Sequence, residues 1–341
     1  MEKKKIALVV DKDNWAFANI ARTIKKYITK YDFKIIPIDY LDNMIGRVYL
    51  EAEDCDYIHF FWRGDIISSN NWEMNDYIYN YGFSTSDFKR KFMNKPISTA
   101  VYDHLYLDDE LEITKEIFSL CKNYYVSSKI LFDIYSKLDI KYKPKSIITD
   151  GVDLSVFYPI NLDRFNNIKS RTIKIGWVGN SEWAADKEDF KGVNTILKPA
   201  IKELQNEGYN IEPYFADRKE KMIPHDKMVE YYSKIDVLVC SSKIEGTPNP
   251  VLEAMACGVP VISTYVGIVP QALGAKQKGY ILKTRDKDTM KELISKFVNN
   301  IDSIKDLSDE NLKQIKGWDW SKVVKKFEKF FDEVFKEYRK K

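Results

Sequence analysis

The sequence predicts an α/β protein in two halves, each a parallel sheet covered by helices on both faces. Short apolar runs rich in β-branched and aromatic residues alternate with segments of helical period up to residue 138, and the alternation starts afresh at residue 173. Residues 151–172 between them contain Asp, Asn, Gly and Pro without periodicity, as a linker does. Alternation of this kind builds doubly wound sheets whose ligands lie at the carboxyl ends of the strands.

The first half opens with a strand over 6–10, an amphipathic helix over 15–31 and a strand over 33–38. Two further strands are expected at 56–62 and 97–102, then a helix near 109–121 and a strand at 124–126. Ser127 or Ser128 caps the next helix, which runs to about residue 138. Asp11, Trp62, Arg63 and His104 fall at strand ends, where a ligand would lie. Residues 70–95 fit neither alternation; they are polar, rich in Tyr and Trp and end in basic residues. Aromatic faces of that kind stack on sugar rings, which makes the segment a candidate for acceptor recognition, against the plainer reading of a surface excursion.

The second half begins with a strand over 173–178, followed by a helix over 193–206, a strand over 211–215 and a helix over 226–234. Asp236-Val237-Leu238-Val239-Cys240 is a short buried strand, after which Gly246 and Pro248 keep the chain in a loop. Asn249 is expected as a helix N-cap, Pro250 suits the first helical position, and Gly258 stops the helix. Glu245 then sits on the loop and Glu253 in the first helical turn. Unpaired N–H groups and the positive end of the helix dipole between them make a seat for phosphate, while the carboxylates accept hydroxyls of a sugar and a ribose. A last amphipathic helix over 321–338 carries Val323, Val324, Phe327, Phe330, Phe331, Val334, Phe335 and Tyr338 on one face.

Composition narrows the function. A net charge of +3 argues against a dedicated nucleic-acid binder. Basic clusters at 3–5, 89–91, 325–326 and 339–341 read as solvated surface, with weak contact to an anionic membrane as the lesser alternative. No apolar run approaches the roughly 20 residues of a membrane helix, and the N-terminus lacks a signal pattern, so a cytoplasmic protein, possibly peripheral on the inner face of the membrane, is expected. Cys55, Cys121, Cys240 and Cys257 are scattered and read as packing residues, and His59, His104 and His225 form no ligand cluster. No metal site is indicated.

The run EGTPNPVLEAMACGVPVI over 245–262 resembles, without a gap, the signature of family 4 retaining glycosyltransferases, which have two Rossmann-like domains facing across a cleft, the GT-B architecture. Asp150-Gly151-Val152-Asp153 with Phe157 is similar to the family's interdomain segment, and Gly179 followed by Lys191-Gly192 to its first C-terminal strand, loop and helix. The resemblance covers roughly 146–335 and implies an acceptor-side domain of 1–150 plus 321–341, with the last helix crossing back to it. A nucleotide-sugar domain of 151–320 completes the expected organisation.

The resemblance also implies roles. Glu245 would hold donor-sugar hydroxyls, Gly246, Thr247, Pro248 and Asn249 would meet phosphates and sugar, and Glu253 would bind the ribose. Lys191 would neutralise the diphosphate, and His104, oriented by Asp103 or another group, would contact the sugar. Met222 and Ile223 correspond to the loop that faces the base. Where the family commonly has arginine after the glycine of that first strand, this chain has Gly179-Asn180; Arg218 after the next strand is the candidate substitute clamp. Gln271 replaces a frequent glutamate. The expected activity is retaining, metal-independent transfer from a UDP- or GDP-sugar, as co-substrate with no further cofactor, to a glycan or lipid-linked hydroxyl in bacterial surface polysaccharide assembly. The alternatives are a non-catalytic accessory subunit of the same fold and a metal-dependent transferase using Asp11-Lys12-Asp13.

Overall fold

A computed structural model describes residues 3–13, 15–41, 47–66, 94–105, 107, 111–220 and 222–339. Most of the aromatic segment at 70–95 and the basic cluster at 89–91 therefore lie outside the described residues. The chain divides into two compact units, Met1–Thr149 with Val323–Lys341, and Asp150–Lys322.

The first unit is built on a six-stranded sheet of β1 (Lys5–Val10), β2 (Asp32–Pro37), β3 (Tyr57–Phe60), β4 (Ile97–Val101), β5 (Asn123–Val126) and β6 (Ser146–Ile147), in the order β2-β1-β3-β4-β5-β6. Every pairing is parallel. The central strands are buried on both faces, which is why they read as continuous apolar runs rather than alternating ones. The first helix, Ala16–Tyr27, is shorter than its apolar period suggests, because the chain leaves it at Ile28 in an extended conformation to enter β2. Ser128 is the cap of the Lys129–Tyr135 helix and accepts the Leu131 N–H at 3.2 Å. In the last helix, Phe327 and Phe330 meet Tyr125 edge-on while Phe331 and Phe335 meet Tyr57.

The second unit carries a four-stranded parallel sheet, β7 (Ile173–Gly179), β8 (Ile211–Asp217), β9 (Val237–Cys240) and β10 (Val261–Ser263), in the order β10-β9-β7-β8. The 151–172 stretch is not a free linker. Val152, Phe157, Phe165 and Ile168 are buried in this unit, and Val152 bridges to Asp319, so irregular turns replace the periodicity that would have revealed the packing. At the opposite end of the sheet from the candidate site, Asp236 is fully buried and accepts both guanidinium nitrogens of Arg171 at 2.7 Å and the Lys174 N–H at 2.8 Å.

Candidate active site

The Glu245 loop is shaped by backbone before any side chain matters. β9 ends at Cys240, and Gly267, at φ +48°, crosses so close that a Cβ there would lie 2.1 Å from the Gly246 carbonyl oxygen. Only glycine fits such an approach. Thr247 is buried, its hydroxyl accepting the Asp150 N–H at 3.2 Å. The helix that follows spans Asn249–Ala256, with Pro248 in the cap position at φ −71° and no side-chain cap. Asn249 is thus the first helical residue and not the N-cap that its type suggests. The Val251 N–H already bonds the Pro248 carbonyl at 2.9 Å, so the first turn closes one residue early. The Asn249 amide Oδ1 is buried and has no hydrogen-bond partner among the described residues, and Glu253, as fifth residue, stands in the second turn rather than the first.

Lys191 reaches this loop by a second close approach. Gly192 has φ +66°, and a Cβ on it would sit 2.4 Å from the Ser241 carbonyl oxygen at the end of β9. Ser241 Oγ donates to the Lys191 carbonyl at 2.7 Å, and Arg285 donates to the Ser241 and Asp189 carbonyls at 3.0 and 2.7 Å, tying the two loops together. As a result Lys191 Nζ lies 2.6 Å from Glu245 Oε1, with the two side chains 22% and 19% exposed. Burial works against the ammonium, but the Glu245 carboxylate outweighs it and holds the lysine pKa above its ordinary value.

Glu253 is 12% exposed and gripped from two sides. Tyr232 donates to its Oε2 at 2.7 Å, and His225 Nε2 lies 3.5 Å from its Oε1, with the imidazole edge-on to Phe157 at 5.2 Å. That contact with Glu253 raises the His225 pKa against the opposing pull of burial. Met222, just before this histidine, is 60% exposed, whereas Ile223 packs on the core of the unit. Gly179 ends β7 and accepts the Arg218 N–H at 2.9 Å; Asn180 Oδ1 accepts the Glu182 N–H at 3.1 Å, making a turn where an arginine clamp is expected from the resemblance. The Arg218 side chain is exposed and makes no ion pair among the described residues.

The structure thus brings Lys191 to Glu245, and the helix beginning at Asn249 joins that pair to Glu253. Tyr232, His225, Arg285 and Gly267 also build the site, and sequence reasoning had not placed them there. They come from four separate elements, and only Gly267, within a turn-forming Tyr265-Val266-Gly267 run, carries a local signal.

In the first unit His104 follows β4, as its position suggests. Among the described residues, Asp103 Oδ1 accepts Arg63 at 2.8 Å and the Leu105 N–H at 3.1 Å, so this oxygen serves the guanidinium that follows β3. Asp65, a few residues after β3, is buried too, its Oδ2 without a hydrogen-bond partner among the described residues; burial first, then the Asp11 carboxylate, push its pKa up to about 7. Asp13 of the 11–13 pair is engaged by Arg22 and Tyr40.

The comparisons fit this geometry. Residues 219–314, which contain Glu245, Glu253 and their helix, match the family described as Glycosyl transferases group 1. The chain carries a group 1 glycosyltransferase domain. An uncharacterized glycosyltransferase of Methanocaldococcus jannaschii is 28% identical over 32% of this chain and 31% of its own length, so the chain spans about a third of that relative. Sucrose-phosphate synthase from Thermosynechococcus elongatus superposes with a TM-score of 0.72 at 15% identity, over 98% of this chain and 99% of the other. Anabaena HepE, solved in complex with UDP and glucose, gives 0.66 at 12% identity over 97% and 100%. The fold is GT-B, two parallel-sheet α/β domains.

Proposed function

We propose that this protein is a retaining, metal-independent family 4 glycosyltransferase that moves a sugar from a nucleoside-diphosphate sugar, UDP- or GDP-linked, to a hydroxyl of a glycan or lipid-linked acceptor. The observation that carries the reading is the Lys191–Glu245 pair at 2.6 Å, joined through one helix to a Glu253 held by Tyr232 and His225. Glu245 accepts hydroxyls of the donor sugar, and Glu253 accepts those of the ribose. Lys191 turns its charge to the departing diphosphate, where negative charge accumulates in the transition state. Backbone from Gly246 to Asn249 lies beside sugar and phosphates, and Asn249 Oδ1, buried without a partner among the described residues, is an acceptor for a donor group of the ligand. Gly179 and Asn180 flank the diphosphate, Met222 and Ile223 the base, and Arg218 is the second phosphate cation. His104 is the proposed histidine contact to the donor sugar. The setting proposed is cytoplasmic assembly of bacterial surface polysaccharide, with peripheral contact to the membrane's inner face; no described helix is long and apolar enough to cross a membrane.

A thermal-shift panel of nucleoside diphosphates and nucleotide sugars tests the reading, because a ligand that binds only the folded form stabilises it by about 2.7 kcal/mol at one hundred times its Kd. One nucleotide series is expected to raise the melting temperature. A panel in which no nucleotide shifts it contradicts donor binding.

A further inference from the structure

Beside the Lys191–Glu245 pair stands a side chain that neither the sequence signature nor the roles above account for. Trp183, in the loop after β7, keeps 39% of its surface exposed. Lys191 Nζ lies 5.3 Å from its ring centroid, so indole, ammonium and the Glu245 carboxylate are contiguous.

The loop is constructed to hold that indole in place. Asn180 accepts the Trp183 N–H on its carbonyl at 3.2 Å, and Asp217 Oδ1 accepts the Ser181 N–H at 3.1 Å. Ala184 next in the chain sits at φ +53°, a left-handed conformation that alanine adopts at a cost. The indole and the Phe190 ring form a T-shaped pair at 5.7 Å and 73°, and Phe190 is fixed in turn by the Lys243 N–H and Arg285 on its carbonyl. Leaving part of a large aromatic in solvent on a strained turn forgoes burial that the fold could have used. Strain of this kind persists where a site needs the geometry.

The chemistry of the three groups selects the ligand. An indole offers an apolar face that carbohydrate C–H bonds cover, a carboxylate accepts the hydroxyls at the ring's rim, and an ammonium faces an anionic leaving group. We propose that Trp183 is a specificity-determining residue of the donor subsite, its indole stacking on the pyranose of a nucleotide-activated hexose whose hydroxyls Glu245 holds. The inference rests on the donor-binding reading above and adds to it the residue that separates sugar recognition from nucleotide recognition.

Calorimetric titration of UDP and UDP-glucose, with GDP and GDP-mannose run in parallel, into wild type, Trp183→Ala and Trp183→Phe tests it. For whichever pair wild type binds, Trp183→Ala is expected to weaken the nucleotide sugar by about tenfold while leaving the bare diphosphate unchanged, and Trp183→Phe to keep most of the sugar affinity. Equal loss for diphosphate and sugar overturns the proposal, since Trp183 would then only station Lys191 on the phosphates. Unchanged affinity for both overturns it too. Wild type that binds a diphosphate but none of the sugars sinks Trp183 alone, whereas wild type that binds none of the four ligands sinks the donor-binding reading with it. Trp183 is half-exposed, so matched melting temperatures confirm that each variant is folded.

Discussion

Two neighbours compete with any ligand for the Glu253 carboxylate: the Tyr232 hydroxyl at 2.7 Å and the His225 imidazole at 3.5 Å. The histidine contact has a pH consequence. Its pKa is raised above 6.5 by Glu253, so the charged pair is complete in acid and is lost as pH rises through that elevated value. A ribose that takes Glu253 must displace His225, which costs more when the imidazole carries its proton. Nucleotide affinity is therefore expected to increase with pH from 6.5 upward, and His225→Asn to flatten that slope; titrations across the range check both, and identical slopes would remove His225 from the site. At this scale the sequence was legible where one continuous segment carries the candidate residues: Glu245 and Glu253 belong to a single run, and its middle, Asn249–Ala256, is a helix. Tyr232, His225, Arg285 and Trp183 were not legible, because spacing along the chain says nothing of which strand ends become neighbours. Asn249 misled for a subtler reason: a residue type that favours caps lies one position inside the turn, with Pro248 before it.

Among the elements, the crossing of Gly267 against residues 245–246 governs where Glu245 points. Replacing Gly267 by Ala places a Cβ 2.1 Å from the Gly246 oxygen at a backbone φ of +48°, so the loop must shift. Gly208 is the control, since at φ +92° it has open space around it and its replacement adds strain without a clash. Urea melts are expected to show a loss of about 1–3 kcal/mol for Gly208→Ala and more for Gly267→Ala, with nucleotide binding impaired only in the second. Equal binding by the two variants would mean that the Glu245 loop is placed by something else. Strands were the most readable elements, because a parallel strand buried on both faces is an apolar run whatever surrounds it. The helices Lys287–Asn299 and Ile304–Gln314 are not among the elements expected from the sequence, although Asp286 caps the first by accepting the Thr289 N–H at 2.7 Å and an Asp ahead of an apolar period is a visible start signal. The aperiodic 151–172 segment reads as a linker and is in fact part of the second unit's core, held by four buried apolar residues at irregular spacing.

The whole molecule's stability is tied to pH through two buried groups of the first unit, His59 and Asp65. His59 lies fully buried in β3, its Nδ1 2.7 Å from Ser98 Oγ and its ring among Phe61, Tyr125, Phe330 and Phe331. Burial depresses its pKa to about 3. As pH falls below 6.5 the unfolded chain takes a proton that His59 refuses in the folded one, which costs about 1.4 kcal/mol per pH unit, while the buried Asp65 carboxyl, raised to about 7, keeps a proton that the unfolded chain gives up and opposes that loss down to about pH 4. Denaturant melts between pH 6.5 and about 4 are expected to show His59→Phe gaining on wild type by about 1.4 kcal/mol per pH unit toward acid; a variant with the wild-type slope would remove His59 from the acid response. The two-unit α/β architecture follows from alternation that any reader of the sequence can see, and the structural likenesses at 15% and 12% identity show that this architecture survives nearly complete change of sequence. Activity does not follow from architecture. It depends on whether the carboxylates and the lysine of the second unit hold an activated sugar. The most direct measurement is calorimetric titration of a nucleoside diphosphate, UDP and then GDP, into wild type and Glu253→Ala. Wild type is expected to bind one of them and Glu253→Ala to bind it at least about tenfold more weakly, as loss of a charged acceptor for ribose requires. Undiminished binding by Glu253→Ala would contradict the account.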